Sequence, residues 1–377
     1  MLESIHQADV TLAAESAGQP APLRERPLAG PDDYPNDITS QIPLAIGSRR
    51  TGSIGDPNDQ DVMLLSLTAG QSITVELFRN GTAASGGLVD PYLVLLDRTG
   101  KVVAQDDDAY GDGNSRLFFT VPTTDTYYAA ALDYDTGTGA YTIGAYRRNI
   151  LNGSSFNDLM TGTASPDTMT MGRGNDTFSG AAGDDLLDGG EGIDVVSYSG
   201  TAGQYSLGRV PIDGWSKTAA YGFVLRDTKG SEGNDLLLDV ERIKFSDIRW
   251  ALDLEGRAGT TVKILGALFG KESIHNLQYV GIGLSQLDGG TSVDALMNLA
   301  LQARLGSKPS NTDLVNVLYT NVVGVAPNAT DLKFFTDLLA NGTYTQVGLV
   351  GLAADQPLNL ANIGFDELLN FGIGYTL

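Results

Sequence analysis

The sequence predicts a multidomain β + α chain: an N-terminal β-sandwich, a short parallel β-roll and a C-terminal α-helical domain. Three observations predict it. Residues 31–148 alternate apolar and polar side chains between Gly, Asn and Asp turns, residues 153–197 repeat a nine-residue unit, and from about Gly256 the apolar spacing changes to three and four. Residues 1–30, polar and rich in Ala and Pro, read as a flexible tail.

The strand candidates of residues 31–148 are 61–67, 72–78, 92–96, 116–121, 126–132 and 139–145, at the spacing of a sandwich. Leu67-Thr-Ala-Gly-Gln-Ser-Ile-Thr-Val75, Asp90-Pro-Tyr-Leu93, Asp106-Asp-Asp108 and Thr126-Tyr-Tyr128 resemble the bacterial pre-peptidase C-terminal (PPC) domain. The resemblance implies a jelly-roll-like sandwich of the kind appended to secreted proteases and other exported proteins. Calcium-binding relatives hold one ion before and at the first strand, which the resemblance carries onto Asn36, Asp37, Asp59 and Asp61. Read from the residues alone, these side chains equally suit a turn and a strand start that use Asn and Asp for backbone bonds. Asp106, Asp107 and Asp108 form a second acidic cluster, read as a solvated hairpin loop. Tyr92, Tyr110, Tyr127, Tyr128 and Tyr134 offer an aromatic strip for carbohydrate or protein, although core packing accounts better for such residues in a sandwich.

An acidic residue returns every ninth position at Asp158, Asp167, Asp176, Asp185 and Asp194, each followed two residues later by an apolar one. Gly172, Gly174, Gly183, Gly190 and Gly192 precede the aspartates. This is the Gly-Gly-x-Gly-x-Asp-x-apolar-x unit of calcium-binding parallel β-helices. Calcium takes six to eight hard oxygens at roughly 2.3–2.6 Å, from carboxylates and carbonyls, and glycines let the chain turn several carbonyls toward one point. Two units make one coil, so Asp158, Asp176 and Asp194 should line one edge and Asp167 and Asp185 the other. An ion shared between stacked loops needs both of them, which limits the array to about two or three Ca2+, with one more in the sandwich if the PPC resemblance holds. The first two units have lost most glycines, so the loops of Asp176 and Asp194 form the strongest pair. Residues 149–254 resemble the RTX (haemolysin-type) calcium-binding family, and Asp239-Val-Glu-Arg-Ile-Lys-Phe-Ser-Asp247 resembles the strand that closes such arrays. Gly230–Leu238 fits the unit out of register, and reads as a half-site around Asp235 or as a capping strand and turn. Tyr198–Leu225 reads as strands around a Pro211–Gly214 turn.

In residues 255–377, helices are expected over 261–269, 293–305, 312–323 and 331–339. Asn311/Thr312 and Asn328 can open them, and Gly306, Gly324 and Gly342 can end them. Leu318-Tyr-Thr-Asn-Val-Val-Gly-Val-Ala-Pro-Asn328, with Leu332, Phe335 and Leu339-Ala-Asn-Gly342, resembles the DUF4214 helical domain. Such domains commonly follow calcium repeats in exported bacterial proteins.

The 377 residues carry a formal charge of −22, and only ten of the 46 acidic residues are Glu. Asp beside 47 Gly suits calcium loops, and the lack of Lys/Arg clusters argues against nucleic acid. There is no cysteine, so bound metal rather than disulfides is expected to stiffen the chain. Met1–Val10 has no apolar core of a signal peptide, and no run reaches the ~18 apolar residues of a membrane span. Calcium repeats without a signal peptide suggest export by a type I system to the cell exterior or surface. The two histidines, His6 and His275, form no His-Glu-x-x-His, and there is no Gly-x-Ser-x-Gly elbow. The expectation is therefore a non-catalytic, calcium-dependent structural or adhesive protein whose partner is itself, as a homopolymer, or a surface or matrix polymer. Two alternatives are an accessory module that binds collagen or glycan beside a secreted hydrolase, and a hydrolase with an unrecognised carboxylate pair.

Overall fold

The computed structural model describes residues 33–107, 113–211 and 221–377. The expected tail, His6, Asp108, Tyr110 and the Ile212–Gly214 part of the turn lie outside the described residues.

The first eight strands are β1 (Ser48–Ile54), β2 (Asp61–Leu67), β3 (Ser72–Arg79), β4 (Pro91–Asp97), β5 (Val102–Asp106), β6 (Ser115–Thr120), β7 (Asp125–Asp133) and β8 (Gly139–Asn152). They form two antiparallel sheets, β1-β8-β3-β6 and β2-β7-β4-β5. Alternate residues of both, such as Leu65, Val75, Leu95, Ala129 and Ile143, meet in one core. β1 and β5 had no counterpart among the expected strands. Both lie at sheet edges, and neither has a run of buried apolar residues: β1 reads Ser-Arg-Arg-Thr-Gly-Ser-Ile and is buried only at Ile54. An edge strand with a solvated face carries little hydrophobic signal.

β8 is 14 residues long and serves two architectures. Its first part pairs antiparallel with β1 and β3, while Asn149–Asn152 pairs in parallel with β10 (Asp167–Thr170). The sandwich thus passes into the roll along one unbroken strand.

The roll alternates between two parallel sheets. β9 (Leu159–Thr161), β11 (Thr177–Ser179) and β13 (Val195–Ser197) stack on one side, and β8, β10 and β12 (Leu186–Asp188) on the other. The apolar residue of each unit points inward. Leu151, Met169 and Leu187 form one column and Met160, Phe178 and Val196 the facing one.

After β13 the stack is interrupted by the antiparallel pair β14 (Tyr205–Pro211) and β15 (Tyr221–Asp227). It then resumes: β16 (Asn234–Leu238) pairs in parallel with β12, and β17 (Arg242–Lys244) with β13. β18 (Arg249–Ala251) turns back antiparallel and ends the parallel stack.

Eight helices follow among the described residues: α1 (Arg257–Phe269), α2 (Leu277–Asp288), α3 (Val293–Leu305), α4 (Asn311–Val323), α5 (Ala329–Ala340), α6 (Gln346–Ala354), α7 (Pro357–Asn362) and α8 (Phe365–Phe371). Asn328 caps α5 as expected, and Gly306 and Gly324 end α3 and α4; α4 is opened by Ser310 instead of Asn311 or Thr312, and Asn341 rather than Gly342 closes α5. α2, α6, α7 and α8 were not among the expected helices. A Cβ on Gly281 would lie 1.8 Å from the Thr376 carbonyl, so glycine is there to admit the chain's last residues. Those residues form β19 (Ile373–Tyr375), which pairs with β18 and returns the helical domain to the roll's sheet. Arg242 of β17 reinforces this junction through ion pairs to Asp253 (2.5 Å) and Asp288 (2.8 Å).

Candidate metal centre

The nine-residue repeat becomes two carboxylate ladders. On one edge the Asp176 Oδ1 accepts the Asp158 backbone N–H (2.7 Å), and the Asp194 Oδ1 accepts that of Asp176 (2.8 Å), each partner 18 residues away. On the other, the Asp185 Oδ1 accepts the Asp167 N–H at 2.8 Å. Both ladders continue across the interruption. Asp235 accepts the Asp185 N–H from 50 residues away, and Glu241 accepts the Asp194 N–H from 47 residues away. Gly230–Leu238, out of register in sequence, is in register in space.

The aspartates fall into two classes. Asp158 and Asp167 fold back on their own loops: Asp158 accepts the Ser154 N–H (2.6 Å) and hydroxyl, and Asp167 accepts the Thr163 N–H (2.5 Å), the Thr163 hydroxyl and the Asn149 amide. Asp176, Asp185 and Asp194 are each 0% exposed, and their Oδ2 atoms are buried without a hydrogen-bond partner. A buried carboxylate oxygen with no donor is costly, and a cation would remove that cost. Asp235 is different, because its Oδ2 receives the Tyr198 hydroxyl at 2.6 Å. Tyr198 therefore gives this oxygen the proton donor that the other three lack, which favours the capping reading of Gly230–Leu238 over a half-site.

The glycines explain themselves by what lies beneath them. A Cβ on Gly190 would sit 2.0 Å from the Gly172 carbonyl oxygen, one on Gly192 1.7 Å from the Gly174 oxygen, and one on Gly172 2.4 Å from the Ser154 oxygen. Gly174 and Gly183 likewise meet the backbone of Phe156 and of Ser165–Pro166. Each carbonyl faces the loop stacked above it, and this close approach brings oxygens into the gap between loops. The first coil has no coil below, so Ser154 and Phe156 stand where later coils need glycine. Loss of glycines in the first units is a consequence of being first.

Burial pushes Asp185 and Asp194 up to about 7, Asp188 up to about 6 and Glu241 up to about 8, with neighbouring carboxylates adding to the rise. Among the described residues no three carboxylate or imidazole side chains gather at one point. A cation here would be held by one or two of Asp176, Asp185 and Asp194 together with backbone carbonyls, a hard-oxygen set that fits calcium. Asp188 and Glu241 escaped sequence reasoning. Asp188 ends its unit at a variable position, and Glu241 joins the ladder only through the folded interruption.

In the sandwich, Asn36 accepts the Gln60 N–H (3.0 Å), Asp37 the Thr39 N–H and hydroxyl, Asp59 the Gly55 N–H and Asp61 the Tyr141 hydroxyl. Asn36 lies beside the 59–61 segment, whereas Asp37 is exposed and turned to its own loop. Asp106 ends β5 and accepts the Arg116 N–H of β6 (2.8 Å) from the facing sheet, so the expected hairpin loop is instead a crossing between the two sheets. Tyr92, Tyr127 and Tyr128 are buried, and Tyr134 packs edge-on against Tyr92, so these four form no open strip.

Residues 143–177 and 161–196 match the family model of RTX calcium-binding nonapeptide repeats. A probable subtilase-type serine protease of Deinococcus radiodurans is 34% identical over 101 residues, which are 26% of this chain and 14% of the protease. The chain therefore spans a small part of that relative's length. Two solved structures are similar at low level. The pre-peptidase C-terminal domain of collagenase from Bacillus anthracis is 16% identical, over 31% of this chain and 97% of that domain, with a TM-score of 0.23. The periplasmic inhibitor of g-type lysozyme PliG from Aeromonas hydrophila is 13% identical, over 28% and 96%, with a TM-score of 0.20.

Proposed function

We propose that this chain, which carries RTX calcium-binding repeats, is an exported, non-catalytic structural or adhesive protein of the bacterial surface or extracellular matrix. In this reading its roll is a connector set by calcium. The observation that carries it is the set of three buried carboxylate oxygens without a hydrogen-bond donor, on Asp176 and Asp194 of one ladder and Asp185 of the other, in a roll continuous with both neighbours. β8 runs into it from the sandwich, and β19 returns to its sheet from the helices. Low internal calcium would leave the loops unset, and millimolar external calcium would set them. No helix among the described residues is long and apolar enough to cross a membrane.

The test is thermal melting in calcium and in EGTA, followed by light scattering and negative-stain imaging under both conditions. Equal melting temperatures would sink the calcium reading, because a ligand selective for the folded state must stabilise it. Calcium-dependent polymers would support self-assembly. The match to a protease favours a second reading, an accessory module beside a secreted hydrolase. A protein that stays monomeric in calcium but binds collagen or glycan would support that reading. Turnover of an offered polymer, abolished by one Asp→Asn change outside the repeats, would overturn both.

A further inference from the structure

Loop 181–185 of the roll meets the sandwich through charged groups. Arg148, 4% exposed, sits where β8 leaves the sandwich. Its guanidinium lies 4.1 Å from the ring centroid of Phe118 on β6 and donates to the carbonyls of Asp167 (3.0 Å) and Asp184 (3.4 Å). Arg116 of β6, 2% exposed, lies 3.8 Å from the buried carboxylate of Glu76 on β3 and 3.5 Å from that of Asp184. Of these groups, Glu76 and Asp184 border a cleft of about 330 Å³ between sandwich and roll, with Arg49, Tyr146 and Ser165 on its walls.

Asp184 joins both sides. Its Oδ1 accepts the Asn234 N–H at 2.7 Å, closing loop 181–185 onto the start of β16, while its Oδ2 faces Arg116. The next residue is Asp185, with its buried, partnerless Oδ2. At the equivalent positions the roll uses Asn157 and Asn175, whose side-chain oxygens make the same bond to the next loop at 2.9 and 3.0 Å. The stack therefore needs only an amide oxygen here, and the negative charge of Asp184 faces the sandwich.

We propose that Asp184 is a calcium-set latch: calcium bound beside Asp185 orders loop 181–185, which holds Asp184 against Arg116 and Arg148 and so stabilises β3 and β6 of the sandwich. The proposal rests on the calcium reading above. When the loop is loose, Arg116 loses one of its carboxylates and Arg148 one of its carbonyls, and removing a partner from a buried charge is destabilising. The coupling is reciprocal, so an intact sandwich tightens calcium binding at this loop by the same factor.

The test uses the full chain. Calcium stoichiometry is measured by titration calorimetry, and amide hydrogen exchange of peptides covering β3 and β6 is measured with calcium and with EGTA. In the wild type, calcium should slow exchange of these strands by about 5-fold or more. Asp185→Asn should lower the stoichiometry and remove the slowing. Asp184→Asn keeps the side-chain oxygen that Asn234 needs and leaves Glu76 to neutralise Arg116, so it should fold and take up calcium with wild-type stoichiometry. The calcium-induced slowing of its β3 and β6 peptides should nonetheless be clearly smaller than in the wild type, with only the Arg148 contact to the Asp184 carbonyl left. Failure of the wild type to take up calcium removes the calcium reading itself. Uptake without slowing of β3 and β6, or full slowing in Asp184→Asn, overturns the latch alone.

Discussion

The Asp194 carboxylate accepts the backbone N–H of Asp176 at 2.8 Å, one coil away, and keeps its second oxygen buried with no donor. One side chain thus holds the stack in register and leaves an acceptor for a cation. The same division of labour recurs at Asp176 and Asp185 but fails at Asp158 and Asp167, where the loop's own N–H and hydroxyl groups take the free oxygen.

Asp194→Asn and Asp185→Asn should therefore each reduce the calcium-induced rise in melting temperature. A site at 100 times its Kd contributes about 2.7 kcal/mol. Asp158→Asn should leave most of the rise in place. Differential melts of the three variants in calcium and EGTA check this, and an equal loss in all three contradicts the two-class division.

Calcium and protons should compete. Burial raises Asp185, Asp194, Asp188 and Glu241 to about 7, 7, 6 and 8, whereas unfolded carboxylates titrate at about 4. The folded chain then binds more protons than the unfolded chain between about pH 4 and pH 8, so its stability falls as pH rises through that window. The net charge of −22 acts in the same direction. In EGTA the melting temperature should rise from pH 8 to pH 5.5, and in saturating calcium this gain should shrink or reverse. A melting temperature in EGTA that is flat or higher at pH 8 would contradict the burial of these groups.

Gly190→Ala should destabilise the roll by about 1–3 kcal/mol. Its φ is +87°, and the new Cβ would lie 2.0 Å from the Gly172 oxygen. Phe156→Ala, at a glycine position of the first coil and 76% exposed, should change stability by less than about 0.5 kcal/mol. Chemical denaturation in calcium compares the two, and similar effects would show that stacking does not impose the glycines.

Tyr198→Phe should cost about 1–3 kcal/mol, because the Asp235 Oδ2 then lacks a donor inside the roll. The calcium stoichiometry should not fall, since Asp235 closes the ladder with that hydroxyl. A lower stoichiometry in this variant would return Asp235 to the ion.

The regular part of the roll was legible because each unit carries its own turn, carboxylate and inward apolar residue. Met169, Phe178, Leu187 and Val196 lie where a two-unit coil puts them. The continuation was not legible, since Asp235 and Glu241 take their places only after β14 and β15 fold away from the stack. β1, α2 and β19 were missed for related reasons. Solvated edges, glycines that admit a neighbouring backbone and three-residue strands all gain their meaning from partners distant in sequence.

By itself the sequence determined the sandwich, the coil of two nonapeptides and the helical character of residues beyond 256, because short-range periodicity and turn chemistry are local properties. Tertiary structure decided which aspartates keep an oxygen for a cation and where the ladders end. It also joined the three parts, through β8, Asp184 and the return of β19. Those outcomes depend on what is stacked above, below or beside a residue, and a buried carboxylate is satisfied or left open only by neighbours that the fold supplies.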